Sequence, residues 1–133
     1  MFNNVLIEEM LSKKVWAVVG ATPNKEKTAN HILHSIINAG YDVYAVNPNY
    51  DEIEPGIKSY KSISDLPKVP DVIDFVVPPA VTLANLKELD PCANEYVWLQ
   101  PGTFNDEVVN YAEEKGFKVI HGGACVMAIL RLK

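Results

Sequence analysis

Residues 15–24, Val15-Trp16-Ala17-Val18-Val19-Gly20-Ala21-Thr22-Pro23-Asn24, decide how the rest of the chain is read. The first five are apolar without alternation, as in a strand covered on both faces. Gly20 through Asn24 break that strand. Ile32, Leu33, Ile36 and Ile37 then mark one face of a helix that ends near Gly40, a natural C′ glycine. A doubly buried strand that turns through glycine into an amphipathic helix points to a parallel sheet with helices on both faces.

The same alternation continues outward. Phe2, Leu6 and Met10, with Val5 alongside, predict a short helix before the strand, within residues 1–13. Val43-Tyr44-Ala45-Val46 reads as a second strand closed by Asn47-Pro48. Residues 49–70, punctuated by Pro55, Pro67 and Pro70, read as an irregular crossover with a short helix around residues 63–66. A third strand over 71–77 is stopped by Pro78-Pro79, and Leu83, Leu86 and Leu89 suggest the helix after it. A fourth strand over 95–99 ends in Gln100-Pro101-Gly102, and Phe104, Val108 and Ala112 define a helix stopped at Gly116. The last strand, 117–120, leads into His121-Gly122-Gly123 and an apolar tail. The sum is five complete or partial βα units in one domain spanning 1–133. Each strand ends in a loop rich in Gly, Pro, Asn or Gln, which is where open α/β sheets bind ligands.

Composition narrows the function. The chain has 133 residues, 48% of them apolar and 22% charged, which suits a single globular domain. Its net charge is −5 and no Lys/Arg-rich run occurs, which argues against a nucleic-acid footprint. No stretch approaches the roughly 18–20 apolar residues of a membrane span. The start, MFNNVLIEEMLSKK, carries acids and lacks a small-residue cleavage site, so it does not read as a signal peptide. Cys92 and Cys125 are far apart and form no CxxC pair, as expected of reduced thiols. The cytoplasm is the expected compartment, and a monomer or weak homo-oligomer the expected state.

The loop after the first strand has the strand-to-helix position where phosphates meet helix N-terminal amides. Gly20 allows a tight turn and close approach of a ligand, and Thr22, Asn24 or Thr28 are candidate caps or phosphate donors. A branched side chain at position 20 is expected to block the ligand and leave the fold intact. The full GxGxxG pattern is absent, and an ordinary turn remains the other reading. The second strand ends in Asn47, where dinucleotide sites place an acid for the ribose. A neutral amide tolerates a phosphate on that ribose, which favours coenzyme A over NAD; the alternative is a plain Asn-Pro turn. Lys25, Lys27 and Lys58 are the nearby cations. Pro78, Pro79, Gln100, Pro101 and Gly102 close two central strands and would form a rigid wall for adenine or a thin pantetheine arm.

No catalytic set emerges. His31 and His34 lie on the first long helix and His121 follows the last strand, without metal-ligand spacing. No GxSxG elbow occurs, and Cys125, four residues after His121, reads better as a structural thiol than as a nucleophile.

The segments VWAVVGAT, GYDVYAVNP, DLPKVPDVIDFVVPP, VWLQPG and the terminal Ala-Cys, in this order, resemble the small stand-alone CoA-binding domain family. Its members are similar to the CoA-binding domain of the succinyl-CoA synthetase α subunit. The resemblance spans about residues 11–130. It implies a three-layer Rossmann-like fold with a five-stranded, mainly parallel sheet in the order 3-2-1-4-5 and CoA across the strand ends. It places Gly20, Ala21 and Thr22 at the phosphates and Lys27 at the family's basic position. Asn47 and Pro48 match its turn beside the nucleotide, Pro78 and Pro79 its adenine side, and Gln100, Pro101 and Gly102 its pantetheine side.

Three departures stand out: Asn49 where relatives often carry Lys or Arg, no basic residue at Val77-Pro78-Pro79, and no Arg before Cys125 or Glu-His after it. Each removes positive charge or a polar group near the expected phosphates and lowers the expected affinity. The expected function is binding of coenzyme A or an acyl-CoA without chemistry of its own. The alternatives are an NAD(H)-responsive domain and a subunit of an acyl-CoA ligase or transferase, which would call on His121.

Overall fold

The computed structural model describes residues 4–121 and 125–131. Phe2 of the N-terminal helix pattern and Gly122, Gly123 and Ala124 of the tail lie outside the described residues. The chain runs α1 (Asn4–Leu11), β1 (Val15–Val19), α2 (Thr28–Asn38), β2 (Asp42–Val46), β3 (Glu52–Glu54), β4 (Ile57–Tyr60), a 3-10 turn (Ile63–Asp65), β5 (Val72–Phe75), α3 (Pro79–Lys87), β6 (Tyr96–Leu99), α4 (Asp106–Lys115), β7 (Lys118–Ile120) and α5 (Val126–Arg131).

The strands form one sheet of seven, ordered β3-β4-β2-β1-β5-β6-β7. All neighbours are parallel except β3, which runs antiparallel to β4. This corrects the expected five-stranded 3-2-1-4-5 order. The strand read as third, now β5, pairs with β1 on the side away from β2. The place beyond β2 is taken by β4, inside the stretch read as irregular. β3 and β4 are only 3 and 4 residues long and half polar, with Pro55-Gly56 between them, so neither shows a long apolar run. Ile53 and Ser59 are nevertheless buried.

Alternate strand residues feed two cores. On one face Trp16, Val18, Ala45, Val72, Trp98 and Ile120 pack under α1, α2 and α5, which contribute Ile7, Met10, Ile32, Leu33, Ile36 and Val126. On the other, Ala17, Val19, Val46, Ile73, Phe75, Val97 and Leu99 pack under α3 and α4 through Leu86, Val108 and Ala112. These are the three layers expected. α1 is part of the first core, since Ile7 and Met10 are buried in it. Its Glu9 also accepts a short hydrogen bond from the Tyr96 hydroxyl, while Lys118 bridges Glu9 and Glu95.

Helix ends follow local chemistry. Asn105 caps α4 by accepting from Val108 N at 3.0 Å, and Gly116, at φ 97°, ends it in the left-handed region. α3 starts at Pro79, so the double proline that stops β5 also opens the next helix, where a missing N–H costs nothing. α2 departs from expectation: its N-cap is Lys27, and no side chain caps it.

Because the sheet separates the two cores, Ile32→Val and Ile73→Val should act independently. Each should cost about 0.5–1.5 kcal/mol, and the double variant should equal their sum within about 0.5 kcal/mol. Urea denaturation of the three variants checks this.

Candidate functional site

Strand register builds the site. Val19 of β1 lies level with Val46 of β2 and Phe75 of β5, and Phe75 lies level with Leu99 of β6. The next residues, Asn47, Gly20, Val76 and Gln100, therefore form a row along the carboxyl edge. Backbone bonds extend the ladder through it: Asn47 N to Tyr60 O at 2.9 Å, Gly20 N to Val46 O at 2.8 Å, Val76 N to Val19 O at 2.8 Å and Gln100 N to Phe75 O at 3.3 Å. From β1 the chain moves out to β2 on one side, and later returns to β5 on the other. The switch point, where open α/β sheets form a crevice, thus lies between Gly20 and Val76.

A pocket of about 380 Å³ sits there, lined by Gly20, Thr22, Lys27, Thr28, Ala29 and Val76. The N-terminus of α2, without a side-chain cap, borders it and carries the positive end of the helix dipole. A larger cavity of about 480 Å³, lined by Glu8, Leu11, Ser12, Ala39, Tyr41 and Leu130, lies at the opposite, amino-terminal edge. It holds the ends of α1 and α2 and no helix start, so the smaller carboxyl-edge pocket is the better anion site.

The loop 20–27 is held from below. Asn47 Nδ2 donates to Ala21 O at 2.8 Å, and the buried Asn30 donates through Nδ2 to Thr22 O at 2.9 Å. Thr22 Oγ1 accepts from Asn24 N and Asn24 Oδ1 from Glu26 N, so both act as turn-formers and not as the helix caps expected. His31 Nε2 meets Lys25 O at 2.6 Å. The role of Gly20 also changes. At φ 102° a Cβ there would lie 2.5 Å from Val76 O and 2.6 Å from Val77 Cγ1. Glycine is required by the neighbouring loop before any ligand arrives, so a branched side chain would disturb the fold, contrary to expectation.

Among the residues singled out by sequence, Gly20, Thr22 and Lys27 converge on the pocket, with Ala21 buried behind them and Lys25 exposed in the same loop. Asn47 is spent on the loops: besides donating to Ala21 O, it accepts through Oδ1 from Asn49 N at 2.9 Å. Pro48 and Asn49 are exposed beside it. Lys58 lies over the Tyr60 ring, 4.9 Å from its centre, and does not line the pocket. Pro78 stands at the N-cap position of α3 without a capping side chain, while Pro79 lines a separate cleft of about 310 Å³ between α3 and α4. Pro101 and Gly102 are exposed on the rim, but the Gln100 side chain points into the sheet.

There it meets a residue that sequence reading passed over. Asp74 is fully buried; its Oδ1 accepts from Gln100 Nε2 at 2.6 Å, and its Oδ2 has no partner among the described residues. Gln100 Oε1 accepts in turn from Val126 N at 3.2 Å. Burial pushes the Asp74 carboxyl up to about 8, against a smaller downward pull from Gln100, so it is neutral at pH 7. Asn30 was missed as well. Its signal was a polar residue on the apolar face of α2, beside Ala29 and Leu33.

Comparison with known proteins gives a consistent result. A family model described as a CoA binding domain matches residues 14–131. The chain is 30% identical over 127 residues to the ADP-forming acetate–CoA ligase I of Archaeoglobus fulgidus, covering 86% of this chain and 18% of the ligase. It is 28% identical over 123 residues to the uncharacterized protein YneT of Bacillus subtilis, covering 86% and 84% of the two chains. A solved structure of a hypothetical protein from Pyrococcus horikoshii superposes with a TM-score of 0.86 at 33% identity, over 96% of this chain and 89% of that one. The chain thus spans a small part of the ligase and most of the two small proteins.

Two glycines of the rim separate close approach from backbone strain. At Gly102, φ 90°, an added Cβ meets nothing within 4 Å, so Gly102→Ala should cost only the left-handed strain, about 1–2 kcal/mol. Gly20→Ala adds overpacking against Val76 and should cost about 2–5 kcal/mol. Chemical denaturation of both variants reads the difference.

Proposed function

This chain belongs to the CoA-binding domain family, and from that premise we propose that it binds coenzyme A or an acyl-CoA across the carboxyl ends of β2, β1, β5 and β6. The observation that carries the reading is the pocket at the switch point, where Gly20, Thr22 and Lys27 meet the uncapped start of α2. A pyrophosphate set there gains helix N-terminal amides, the positive end of the dipole and a lysine as point charge. The ribose and its 3′-phosphate would lie toward Asn47, Pro48 and Asn49, where an amide stands in place of the acid of a dinucleotide site. The adenine would rest by Pro78 and Pro79, and the pantetheine would run over Pro101 and Gly102. With the Gln100 and Asn47 side chains already engaged, their loops would meet the ligand through backbone and shape.

The relation to an ADP-forming acetate–CoA ligase supports a second, narrower reading: this chain supplies the CoA-holding portion of a larger acyl-CoA ligase formed with another subunit. An NAD(H) site fits less well, since β2 runs into Asn47 where an acid is expected and the turn after β1 lacks the second and third glycines of the dinucleotide pattern.

CoA should raise the melting temperature more than NAD at equal concentration, by the amount that native-state binding adds to stability; an equal or larger rise with NAD would sink the assignment. Dephospho-CoA should bind about three- to tenfold more weakly than CoA, because the family's basic residue after Asn47-Pro48 is here Asn49 and only part of the charge-assisted gain remains. Asn49→Lys should tighten CoA and leave dephospho-CoA nearly unchanged. Calorimetric titration of both ligands against both proteins measures the cycle. Equal tightening of the two would place the 3′-phosphate elsewhere.

A further inference from the structure

Asp74 sits two residues before Val76 of the rim, level with Val18 on β1 and Trp98 on β6, on the face covered by α1, α2 and α5. An acid among buried apolar residues such as Val18 and Trp98 is costly to keep in the middle of a parallel sheet. What distinguishes it is connectivity. Its Oδ1 holds the Gln100 amide at 2.6 Å, and Gln100 holds the backbone N–H of Val126, the first residue of α5, at 3.2 Å. Three segments far apart in sequence are joined by this chain: the centre of β5, the loop that ends β6 and the C-terminal helix. All three members are buried, Asp74 and Val126 fully and Gln100 to 2% exposure.

The second oxygen decides which protonation state suits this place. Oδ2 is buried without a partner among the described residues. An ionised carboxylate would leave charge on an oxygen that nothing compensates, whereas the neutral acid keeps the Gln100 bond and little charge. Titratable groups on the surrounding elements are engaged elsewhere. Glu9, Lys13, Glu95 and Lys118 gather around Tyr96 toward the amino edge. His34 on α2 pairs with Glu54 at 2.8 Å, and Cys125, half-buried, precedes Val126. Burial and the Gln100 bond are the influences on Asp74, and burial prevails.

We propose that Asp74 is the proton-bearing positioning residue of the carboxyl-end rim: as the neutral acid it sits beneath Gln100, which seats the first turn of α5, while loss of its proton leaves a buried charge that is relieved only when this end of the fold opens to water. The inference stands on the fold, whatever ligand the rim takes. Its sign follows from linkage. In the seated state the carboxyl titrates near 8; once exposed it titrates near its ordinary value of 3.8. Unseating therefore releases a proton between these values, and the seated state is fully favoured below about pH 4, loses ground as pH rises toward 8 and changes little above it.

Amide hydrogen exchange at Val126, followed by NMR from about pH 5.5 to 9, tests this. Divided by the intrinsic exchange rate, its opening constant should rise about tenfold per pH unit up to near pH 8 and then level. It should exceed that of a β1 amide such as Val18, because α5 opens without global unfolding. In Asp74→Asn, which retains an oxygen to accept from Gln100, the Val126 opening constant should be independent of pH. A flat profile in the unsubstituted protein, the same slope in Asp74→Asn, or equal opening at Val126 and Val18 would each overturn the proposal. Should the variant fail to fold, the unsubstituted protein still decides. The Asp74 carboxyl carbon and the Val126 amide should titrate together, and an Asp74 already ionised at pH 6, or a Val126 blind to its titration, rejects the switch.

Discussion

The approach of two backbones at Gly20 is the constraint on which the rest of the edge depends. With 2.5 Å between a hypothetical Cβ and Val76 O, the turn leaving β1 and the segment leaving β5 are in contact with no space for a side chain. Only glycine combines that contact with φ 102°. The contact fixes the switch point of the sheet, and the remaining rim is assembled around it. Asn47 ties the loop after β2 to Ala21, Asn30 ties α2 to Thr22, and the helix N-terminus is thereby aimed at the pocket. The amides that hold the loop come from buried or half-buried residues, so the pocket floor is ordered before any ligand binds, and little ordering entropy remains to oppose binding.

The two faces of the sheet do different work. The buried strand residues of the face under α3 and α4, Ala17, Val19, Val46, Ile73, Phe75, Val97 and Leu99, are apolar. The face under α1, α2 and α5 carries the Trp16–Trp98 ring contact at 6.1 Å and, two positions before the rim, the only buried acid among the described residues. Polarity in a core is costly unless paired, so its placement beneath the loop that borders the site links core and rim in one hydrogen-bonded chain.

The sequence was legible where one local rule dominated. β1 and β6 are apolar runs ended by glycine or proline, α4 shows its four-residue apolar spacing and stops at the left-handed Gly116, and each of these is legible within a residue or two. The strand order was not legible. Parallel pairing is a non-local choice, and the short, half-polar β4 hid the strand that fills the place beyond β2, so β5 was assigned there. The loops that form the rim could be named from their glycines and prolines, but the duties of their side chains could not. Gly20, Asn47 and Gln100 were read as facing a ligand, and each has an internal partner that lies 26 or more residues away in the chain. Asp74, within Asp71-Val72-Ile73-Asp74-Phe75, has no local signal of its burial; its partner Gln100 lies 26 residues later, and the partner of Gln100 on α5 lies 26 further on.

The central claim is that the carboxyl edge between β2 and β6 receives CoA. Its most direct test is a CoA titration followed residue by residue in the ¹H–¹⁵N spectrum. The account predicts saturable shifts concentrated in residues 20–29, 47–49 and 100–102, with the groove around Leu11, Ala39 and Leu130 silent. Shifts centred on that opposite groove, or none that saturate, would contradict it.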